Sequence, residues 1–335
     1  MFYLLVGIDT EGDNQWSVEA RLNQTFENIY ALPRLHELFQ RHRVRPTYLV
    51  TYPVARDARS ADLLRGLRGG RDTEIGAHHH AWETPPSTEA DVRRHLYALQ
   101  LPSSQFADQV ASLSQAITDA IGERPLSYRS GRFGFAASHV SDLERAGYRI
   151  ESSVAPLFYE GHKGGPDFVG APPTPYFLAY DNATAPGTSN LLEIPVSAAL
   201  SRRIPAALER LFARAPSPYM TKRVLRKLGI ARVLWLRPSY SSLDDMCALA
   251  RRLKRDRVPV LNLIFHSSEA IVGGSPYNLT EQQLADFFDR LGKFLAYAVH
   301  DLGAIPVTFS EFRALYCGSQ RAPEPAPAAA APVSA

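Results

Sequence analysis

The chain has 335 residues, enough for one large α/β barrel or two ordinary domains, and its 45% hydrophobic and 21% charged residues are typical of globular proteins. The net charge of +3 is too small to suggest nucleic-acid binding, and the sequence contains no RNA- or DNA-binding motif. The two cysteines, Cys247 and Cys317, have neither metal-type spacing nor a disulfide framework, which favours a reducing compartment.

The N-terminal stretch MFYLLVGIDTEGD has no basic region and no small-residue cleavage site, and its apolar run ends in acidic residues. It is therefore predicted to form the first core strand rather than a signal peptide. No apolar run approaches the length of a membrane span. We expect a cytoplasmic protein.

Short apolar runs alternate with amphipathic segments along the chain. Strands are predicted at 2–8, 46–52, 73–78, 126–129, 148–151, 191–196, 232–238, 258–265 and 304–309. Helices are predicted at 25–43, 55–69, 88–100, 105–121, 136–146, 242–256 and 280–301. This alternation indicates a parallel sheet, and we expect an α/β fold of the (β/α) barrel type. A doubly wound open sheet is the alternative, weakened because no G-x-G-x-x-G loop follows any strand.

Three segments stand outside this alternation. Residues 152–190 form a long connection rich in glycine, proline and aromatic residues, which we expect to wall a pocket or to form a packed lid. Residues 201–237 are strongly basic, with Glu209 as their one acid, and could form a solvated helical face or a surface for anionic lipid headgroups or sugar-linked phosphates. Residues 319–335 are predicted to be a disordered Ala/Pro-rich tail.

Ionisable residues stand at the carboxyl ends of five predicted strands, the edge where parallel α/β proteins build their active sites. They are Asp9, Glu11 and Asp13 after the first strand, His78 and His80 after the third, then Arg129 with Arg132, Glu151, and His266. Since strand side chains alternate, His78 and His80 share a face and His79 points away.

These residue types are suited to hydrolysis at a metal. A divalent ion held by imidazoles and a carboxylate can activate water and polarise a carbonyl. A free carboxylate such as Asp9 could take the proton from that water, and His266 could protonate the leaving group. Arg129 could hold the base ionised, or could instead form a structural ion pair with Glu151.

The sequence resembles the polysaccharide deacetylase family with the NodB homology domain, carbohydrate esterase family 4, over residues 2–315. GIDTEGD resembles the motif of the base and the metal carboxylate, and EIGAHHH resembles the metal-histidine motif. YRSGRFG resembles the arginine motif, and LIFHSSE resembles the motif of the general acid. The resemblance implies a distorted (β/α)7 TIM-like barrel, here a single domain over residues 1–318 with an insertion at about 152–230 that carries the basic helical segment.

The resemblance also implies roles for individual residues. Asp9 would be the base, Arg129 its partner, His266 the acid and His78 a metal ligand. The family usually has adjacent aspartates, so the metal carboxylate here is either Glu11 or Asp13, and we expect Asp13. The family's second metal histidine falls on Trp82, so we expect His80 to replace it.

The predicted activity is metal-dependent removal of an N-acyl group from an amino sugar in surface-polysaccharide synthesis, with zinc expected and cobalt, nickel or manganese as alternatives. The substrate could be nucleotide- or lipid-linked, and residues 202–237 could give peripheral membrane contact. Hydrolysis of another C–N amide bond, as in allantoinase-like relatives, is a second hypothesis. The third is a deacetylase-like binding module without catalysis.

Overall fold

The computed structural model of the protein describes residues 1–69, 72–214 and 232–320. Four residues of the basic segment (Lys222, Arg223, Arg226 and Lys227) lie outside the described residues, and so does the predicted tail from residue 321 onward. The basic residues on either side of that gap are described, including those of the helix Ala206–Arg214.

Eleven strands are present in the described part of the chain. They are β1 Tyr3–Thr10, β2 Pro46–Val50, β3 Glu74–His79, β4 Ser127–Ser130, β5 Ile150–Glu151, β6 Tyr176–Phe177, β7 Leu192–Glu193, β8 Ala198–Leu200, β9 Val233–Trp235, β10 Val260–His266 and β11 Ile305–Pro306. The α-helices are α1 Val18–Leu22, α2 Glu27–Tyr30, α3 Leu32–Arg41, α4 Tyr52–Arg56, α5 Ala58–Arg68, α6 Glu89–Arg94, α7 Ser103–Ile121, α8 Val140–Arg145, α9 Ala206–Arg214, α10 Leu243–Arg255, α11 Glu281–Ala296 and α12 Phe309–Gln320.

The main sheet runs in the order β10-β1-β2-β3-β4-β5-β7-β6, and β11 also pairs with β1. All of these pairings are parallel except β6 with β7. Parallel strands follow one another in space as they do in the sequence, and the last long strand pairs with the first. The strand order therefore does not reverse as a doubly wound sheet requires, and the sheet is curled as in a (β/α) barrel.

Strand pairing does not close the sheet into a complete barrel within the described residues. The gap between β7 and β10 is crossed by single contacts instead. The Asn262 side-chain amide donates to the carbonyl of Ile194 at 2.9 Å, and the Ser197 amide donates to the carbonyl of Asn262 at 3.2 Å. The predicted TIM-like barrel is thus confirmed as a curled α/β sheet, while a closed barrel is not seen.

The two faces of the sheet have separate cores because side chains alternate along each strand. On the outer face, Leu4, Val6 and Ile8 pack with the helices in the largest hydrophobic cluster. On the inner face, Tyr3 and Leu5 join a smaller cluster that also holds Phe309 and Phe312 of α12. Helix α12 therefore covers one end of the curled sheet, and the other end is left for polar residues.

Several elements differ from the sequence prediction. The stretch 232–238 was expected in the parallel sheet, but β9 pairs antiparallel with β8 in a separate two-stranded sheet. The helix expected over 25–43 is two helices, α2 and α3, separated at Ala31. The spacing of apolar residues does not encode strand direction, and a break of one residue at Ala31 leaves the helical spacing almost unchanged.

Arg129 joins three strands inside the curled sheet. Its guanidinium donates to Asp9 Oδ1 at 2.7 Å, to the Ser152 carbonyl at 2.8 Å and to the Ser152 hydroxyl at 3.0 Å. The side chain is fully buried and lies against Gly7, where an added Cβ would be 2.8 Å from Arg129 Nη2. Glycine at position 7 is therefore what leaves room for this guanidinium.

Glu151 is not the ion-pair partner of Arg129. The alternative of a structural Arg129–Glu151 ion pair, which the sequence left open, is therefore wrong. Glu151 lies opposite Glu193 in the β5–β7 register, and both side chains are fully buried. Burial raises the pKa of Glu151, and burial with the neighbouring carboxyl raises the pKa of Glu193 well above its usual range. The interior therefore favours the protonated form of these neighbouring carboxyl groups, and of Glu193 most strongly.

Among the described residues, the helices are too short or too polar to cross a membrane.

We predict that Gly7→Ala lowers the free energy of unfolding by about 1–3 kcal/mol, because the new methyl group must displace Arg129 or Phe309. Urea denaturation measures this change. Gly66→Ala in α5 is the matched control, since its Cβ would meet nothing within 4 Å, and it should stabilise the helix by up to about 1 kcal/mol. Equal stability of Gly7→Ala and wild type would contradict the packing described.

We also predict a pH effect of the Glu151–Glu193 pair. A carboxyl whose folded-state pKa is raised contributes stability below the pKa of the unfolded chain and loses it as the pH rises through the folded-state pKa. Stability should therefore decline toward alkaline pH in wild type, and less steeply in Glu193→Gln, which keeps a neutral side chain. Urea titrations at acidic, neutral and alkaline pH test this, and parallel pH profiles for the two proteins would contradict it.

Candidate active site

Three buried side chains converge at the open end of the curled sheet. Glu11, His78 and His80 offer one ligand atom each, and these atoms all lie within 4.8 Å of one another. Glu11 Oε2 is 3.2 Å from His80 Nε2 and 3.7 Å from His78 Nε2. Two imidazoles and one carboxylate with open space beside them form a donor set that suits a divalent transition metal.

The second ring nitrogen of each histidine faces the protein. His78 Nδ1 lies 3.1 Å from the carbonyl of Arg129, so this nitrogen carries the proton and Nε2 remains free. His80 Nδ1 lies 2.8 Å from Glu83 Oε1. Metal-binding histidines characteristically contact a carbonyl or a carboxylate through the other nitrogen, which fixes the ring and raises its basicity.

The charges around the two histidines differ. Burial holds the pKa of His78 well below its usual range, so that imidazole is neutral. Burial also opposes charge on His80, but the carboxylates of Glu83 and Glu11 outweigh it and raise the pKa of His80 to about 9. The protonated, cationic form of His80 is therefore favoured beside Glu11. A metal ion bound there would take the place of the proton on His80.

The ring of His80 is clamped between two neighbours. It stacks on Trp82 with ring centroids 4.0 Å apart and an interplanar angle of 26°. On another side it meets the backbone of Gly131, where a Cβ would fall 2.2 Å from His80 Cδ2. Position 131 must therefore be glycine for His80 to keep this orientation. Trp82 is fully buried, so it packs against the site residue and is not an exposed platform for a sugar.

His79 points to the other face of β3, as the alternation of strand side chains predicts, and it is buried. Its Nε2 lies 2.8 Å from Gln109 Oε1, and its Nδ1 lies 2.8 Å from the Tyr128 hydroxyl. Burial lowers the pKa of His79 to about 4, so it is neutral at ordinary pH. It anchors the strand that carries His78 and His80.

Asp9 lies beside the three-residue group. Its Oδ1 accepts from Arg129 and is 4.0 Å from His78 Nδ1, and its Oδ2 is 3.9 Å from His266 Nε2. Burial opposes ionisation, but Arg129 and the two histidines outweigh it and lower the pKa of Asp9 to about 2. Asp9 is thus an ionised carboxylate held in one orientation.

His266 is held across the cavity by charged partners that sequence reasoning did not identify. Its Nδ1 is 2.8 Å from Glu269 Oε1, and Arg237 Nη2 donates to the same oxygen at 2.6 Å. Burial opposes the charge on Glu269, but Arg237 and His266 outweigh it and lower the pKa of Glu269 to about 2. The edge of His266 contacts Trp16, with centroids 5.0 Å apart. Nε2 is the ring nitrogen left facing Asp9.

Asp13, which we expected to bind metal, is not brought into the group. Its carboxylate accepts from the Thr25 hydroxyl at 2.7 Å, from the Glu27 amide at 2.9 Å, and from the Asn28 amide and side chain at 3.0 and 2.6 Å. These bonds cap the N-terminus of α2 and occupy both oxygens. Glu11, two residues earlier, lies with the histidines instead.

Asp9, Glu11, His78, His80 and His266 open into one cavity of about 370 Å³. Its walls include Trp16, Trp82, Tyr97, Phe133, Tyr240 and Tyr277, and the connection 152–190 contributes Phe158, Glu160 and Lys163. The expectation that this connection walls a pocket is therefore confirmed. His95 also lines the cavity, although the sequence analysis gave it no role, and its ring meets Trp82 at 4.3 Å.

Glu83, Glu269 and Arg237 are the supporting residues that the sequence analysis missed. Glu83 and Glu269 each follow a site histidine by three residues, a spacing that could have pointed to them. Arg237 had no such signal, because it comes from β9 and its following turn, outside the parallel sheet.

Several solved structures share this fold. A protein from Mycobacterium smegmatis, provisionally described as a polysaccharide deacetylase, has a TM-score of 0.55 and 15% identity over 95% of this chain and 92% of its own. Puue allantoinase has a TM-score of 0.53 and 14% identity, over 95% and 90% of the two chains. A GH57-type branching enzyme from Pyrococcus horikoshii has 0.51 and 12%, over 94% and 70%. No protein-family model and no curated protein matches the sequence. These likenesses extend over nearly the whole chain and establish the fold.

Proposed function

We propose that this protein is a metal-dependent hydrolase that removes an acyl group from the nitrogen of an amino sugar. One observation carries the proposal. An ionised Asp9 and His266 Nε2 face each other at 3.9 Å, beside the buried Glu11–His78–His80 group and within one cavity. A base, an acid and a metal-binding group are the parts that metal-assisted amide hydrolysis uses at neutral pH.

Asp9 is suited to the role of base because Arg129 holds its carboxylate ionised and fixes its direction. It would accept the proton of the attacking water. His266 would give a proton from Nε2 to the departing nitrogen, while Glu269 holds the opposite ring nitrogen. The bound metal would supply Lewis-acid chemistry, lowering the pKa of water and polarising the acyl carbonyl.

Glu11, His78 and His80 would hold the metal, and zinc is the ion we propose, with cobalt, nickel and manganese as alternatives for the same donors. Asp13 is replaced by Glu11 in this proposal because both Asp13 oxygens already accept hydrogen bonds. Each imidazole presents Nε2 toward Glu11 and engages a protein group through Nδ1. That arrangement is what metal-ligating histidines require.

Exposed aromatic side chains in the cavity wall, Trp16 and Tyr240, support a carbohydrate substrate, since sugar rings pack on aromatic faces. The proposal also includes linkage of the sugar to a nucleotide or lipid and a role in surface-polysaccharide synthesis. It further includes membrane contact through residues 202–237 and a cytoplasmic location. Hydrolysis of another amide C–N bond is the second candidate, favoured by the similarity to Puue allantoinase. The ionised Asp9 opposite His266 argues against a binding module without catalysis.

We predict that purified protein binds one divalent metal per chain and that Glu11→Gln lowers its affinity for zinc by more than about 100-fold. Chelator competition measures the affinity. Asp13→Asn is the matched control, expected to keep zinc while losing about 1–3 kcal/mol of stability, because it disturbs the cap of α2. Loss of zinc in Asp13→Asn and retention in Glu11→Gln would reverse the assignment.

We predict that wild type releases acetate from at least one member of a panel of free, nucleotide-linked and lipid-linked N-acetyl sugars. Asp9→Asn should release it about 10²–10⁴-fold more slowly, because the base is lost. Asp62→Asn, an exposed change in α5, should be as active as wild type. Equal rates for Asp9→Asn and wild type would refute the base, and no release by metal-loaded wild type would refute the deacetylase.

A further inference from the structure

Arg132 is a cationic residue of the cavity wall that the proposed reaction does not use, and unlike Lys163 and Arg237 it has no ion-pair partner among the described residues. It is half-buried, its guanidinium carbon lies 3.8 Å over the ring of Tyr97, and it donates to the carbonyl of His95. These contacts fix the side chain, yet they provide no negative charge. Within the described residues, no carboxylate oxygen lies within the 4.0 Å of an ion pair with Arg132, whereas Arg129 pairs with Asp9 and Arg237 with Glu269.

The acidic residue that acts on Arg132 already pairs with another cation. Glu160 attracts the guanidinium at longer range, but its carboxylate lies 2.9 Å from Lys163 Nζ. Arg132, Lys163 and Glu160 therefore sum to two positive charges and one negative, a net charge of +1 on this wall. The buried Arg21 is close enough to Arg132 for the two guanidinium charges to repel each other, although the Glu83 carboxylate also acts on Arg21.

A cation that is partly withdrawn from water without a counter-ion is unfavourable, and burial lowers the pKa of Arg132. Pairing with an anion would remove that cost. A planar guanidinium already held by stacking is suited to bidentate contact with a carboxylate or a phosphate, and little side-chain freedom is lost when the pair forms.

Arg132 is also close to the reacting centre. It directly follows Gly131, the residue whose backbone contacts the ring of His80. Arg132 and Phe133 both adopt left-handed backbone conformations, with φ of 54° and 58°, which turn the chain sharply after the Gly131 contact. A group bound by Arg132 would therefore lie in the same cavity as the metal-binding group.

We propose that Arg132 binds an oxyanion of the substrate, so that the acylated sugar carries a carboxylate or a phosphate close to the amide that is hydrolysed. This inference rests on the proposed function in taking the ligand to be an acylated sugar. A planar carboxylate and a tetrahedral phosphate both present negatively charged oxygen atoms to Arg132. A uronic acid would supply the carboxylate, and a sugar phosphate would supply the phosphate.

The test is binding to the zinc-loaded full chain, followed by tryptophan fluorescence, since Trp16 and Trp82 line the cavity. Three probes are compared: N-acetylglucosamine, N-acetylglucosamine 1-phosphate and an N-acetylhexosaminuronic acid. At least one anionic probe should bind about 10-fold or more tightly than the neutral sugar, and high salt should reduce that preference. Which anionic probe is preferred identifies the source of the charge.

Arg132→Gln should abolish the preference, and Arg132→Lys should retain only part of it because lysine lacks the planar fork. Arg43→Gln is the matched control, since Arg43 has the same φ of 54° but is exposed and does not line the cavity. Equal binding of neutral and anionic probes by wild type, no binding of any probe at millimolar concentration, or a preference that survives Arg132→Gln would each overturn the inference.

Acetate release from the same three compounds separates this inference from the proposed function. Release without preference for charge would leave the deacetylase standing and overturn the role of Arg132. Arg132-dependent binding of the anionic probes without release of acetate from any compound would support the role of Arg132 and refute the deacetylase.

Discussion

The buried ion pair between Arg129 and Asp9 is the contact on which both the sheet and the site depend. Removing a guanidinium and a carboxylate from water is costly, and only close pairing with further hydrogen bonds offsets that cost. Arg129 meets this requirement by hydrogen bonding to Asp9 and to Ser152. It therefore links β4 to the end of β1 and to the residue that follows β5. The same pair keeps Asp9 charged in an interior that would otherwise favour its neutral form.

The three consecutive histidines show how environment separates identical side chains. His78 is neutral and bonded to a carbonyl, and His80 is paired with carboxylates on both ring nitrogens. His79 faces the opposite side of the sheet and fixes the strand through Gln109. The end of β3 and the residue that follows it thus provide two potential metal ligands and the support that holds them, and the alternation of side chains along an extended backbone divides these roles.

Much of this arrangement could be predicted from the sequence. Asp9, His78, His80, Arg129 and His266 were expected at one edge because the ends of parallel strands meet there, and the structure brings all five together. The sequence could not decide whether Glu11 or Asp13 joins the histidines. That depends on which of the two carboxylates accepts hydrogen bonds from the N-terminus of α2, and no local pattern indicates it. No local pattern identified Arg237 as a partner of His266, because Arg237 follows β9, and β9 pairs with β8 outside the main sheet.

The contact between Gly131 and His80 has a consequence for redesign of the protein. Residues 130–134 and His80 share a van der Waals surface with no space for a methyl group at position 131. A change in the backbone of residues 130–134 would therefore displace the ring of His80, since Trp82 packs against that ring on another side. Under the proposed function, libraries that vary residues 130–134 to change the substrate should be screened for metal affinity as well.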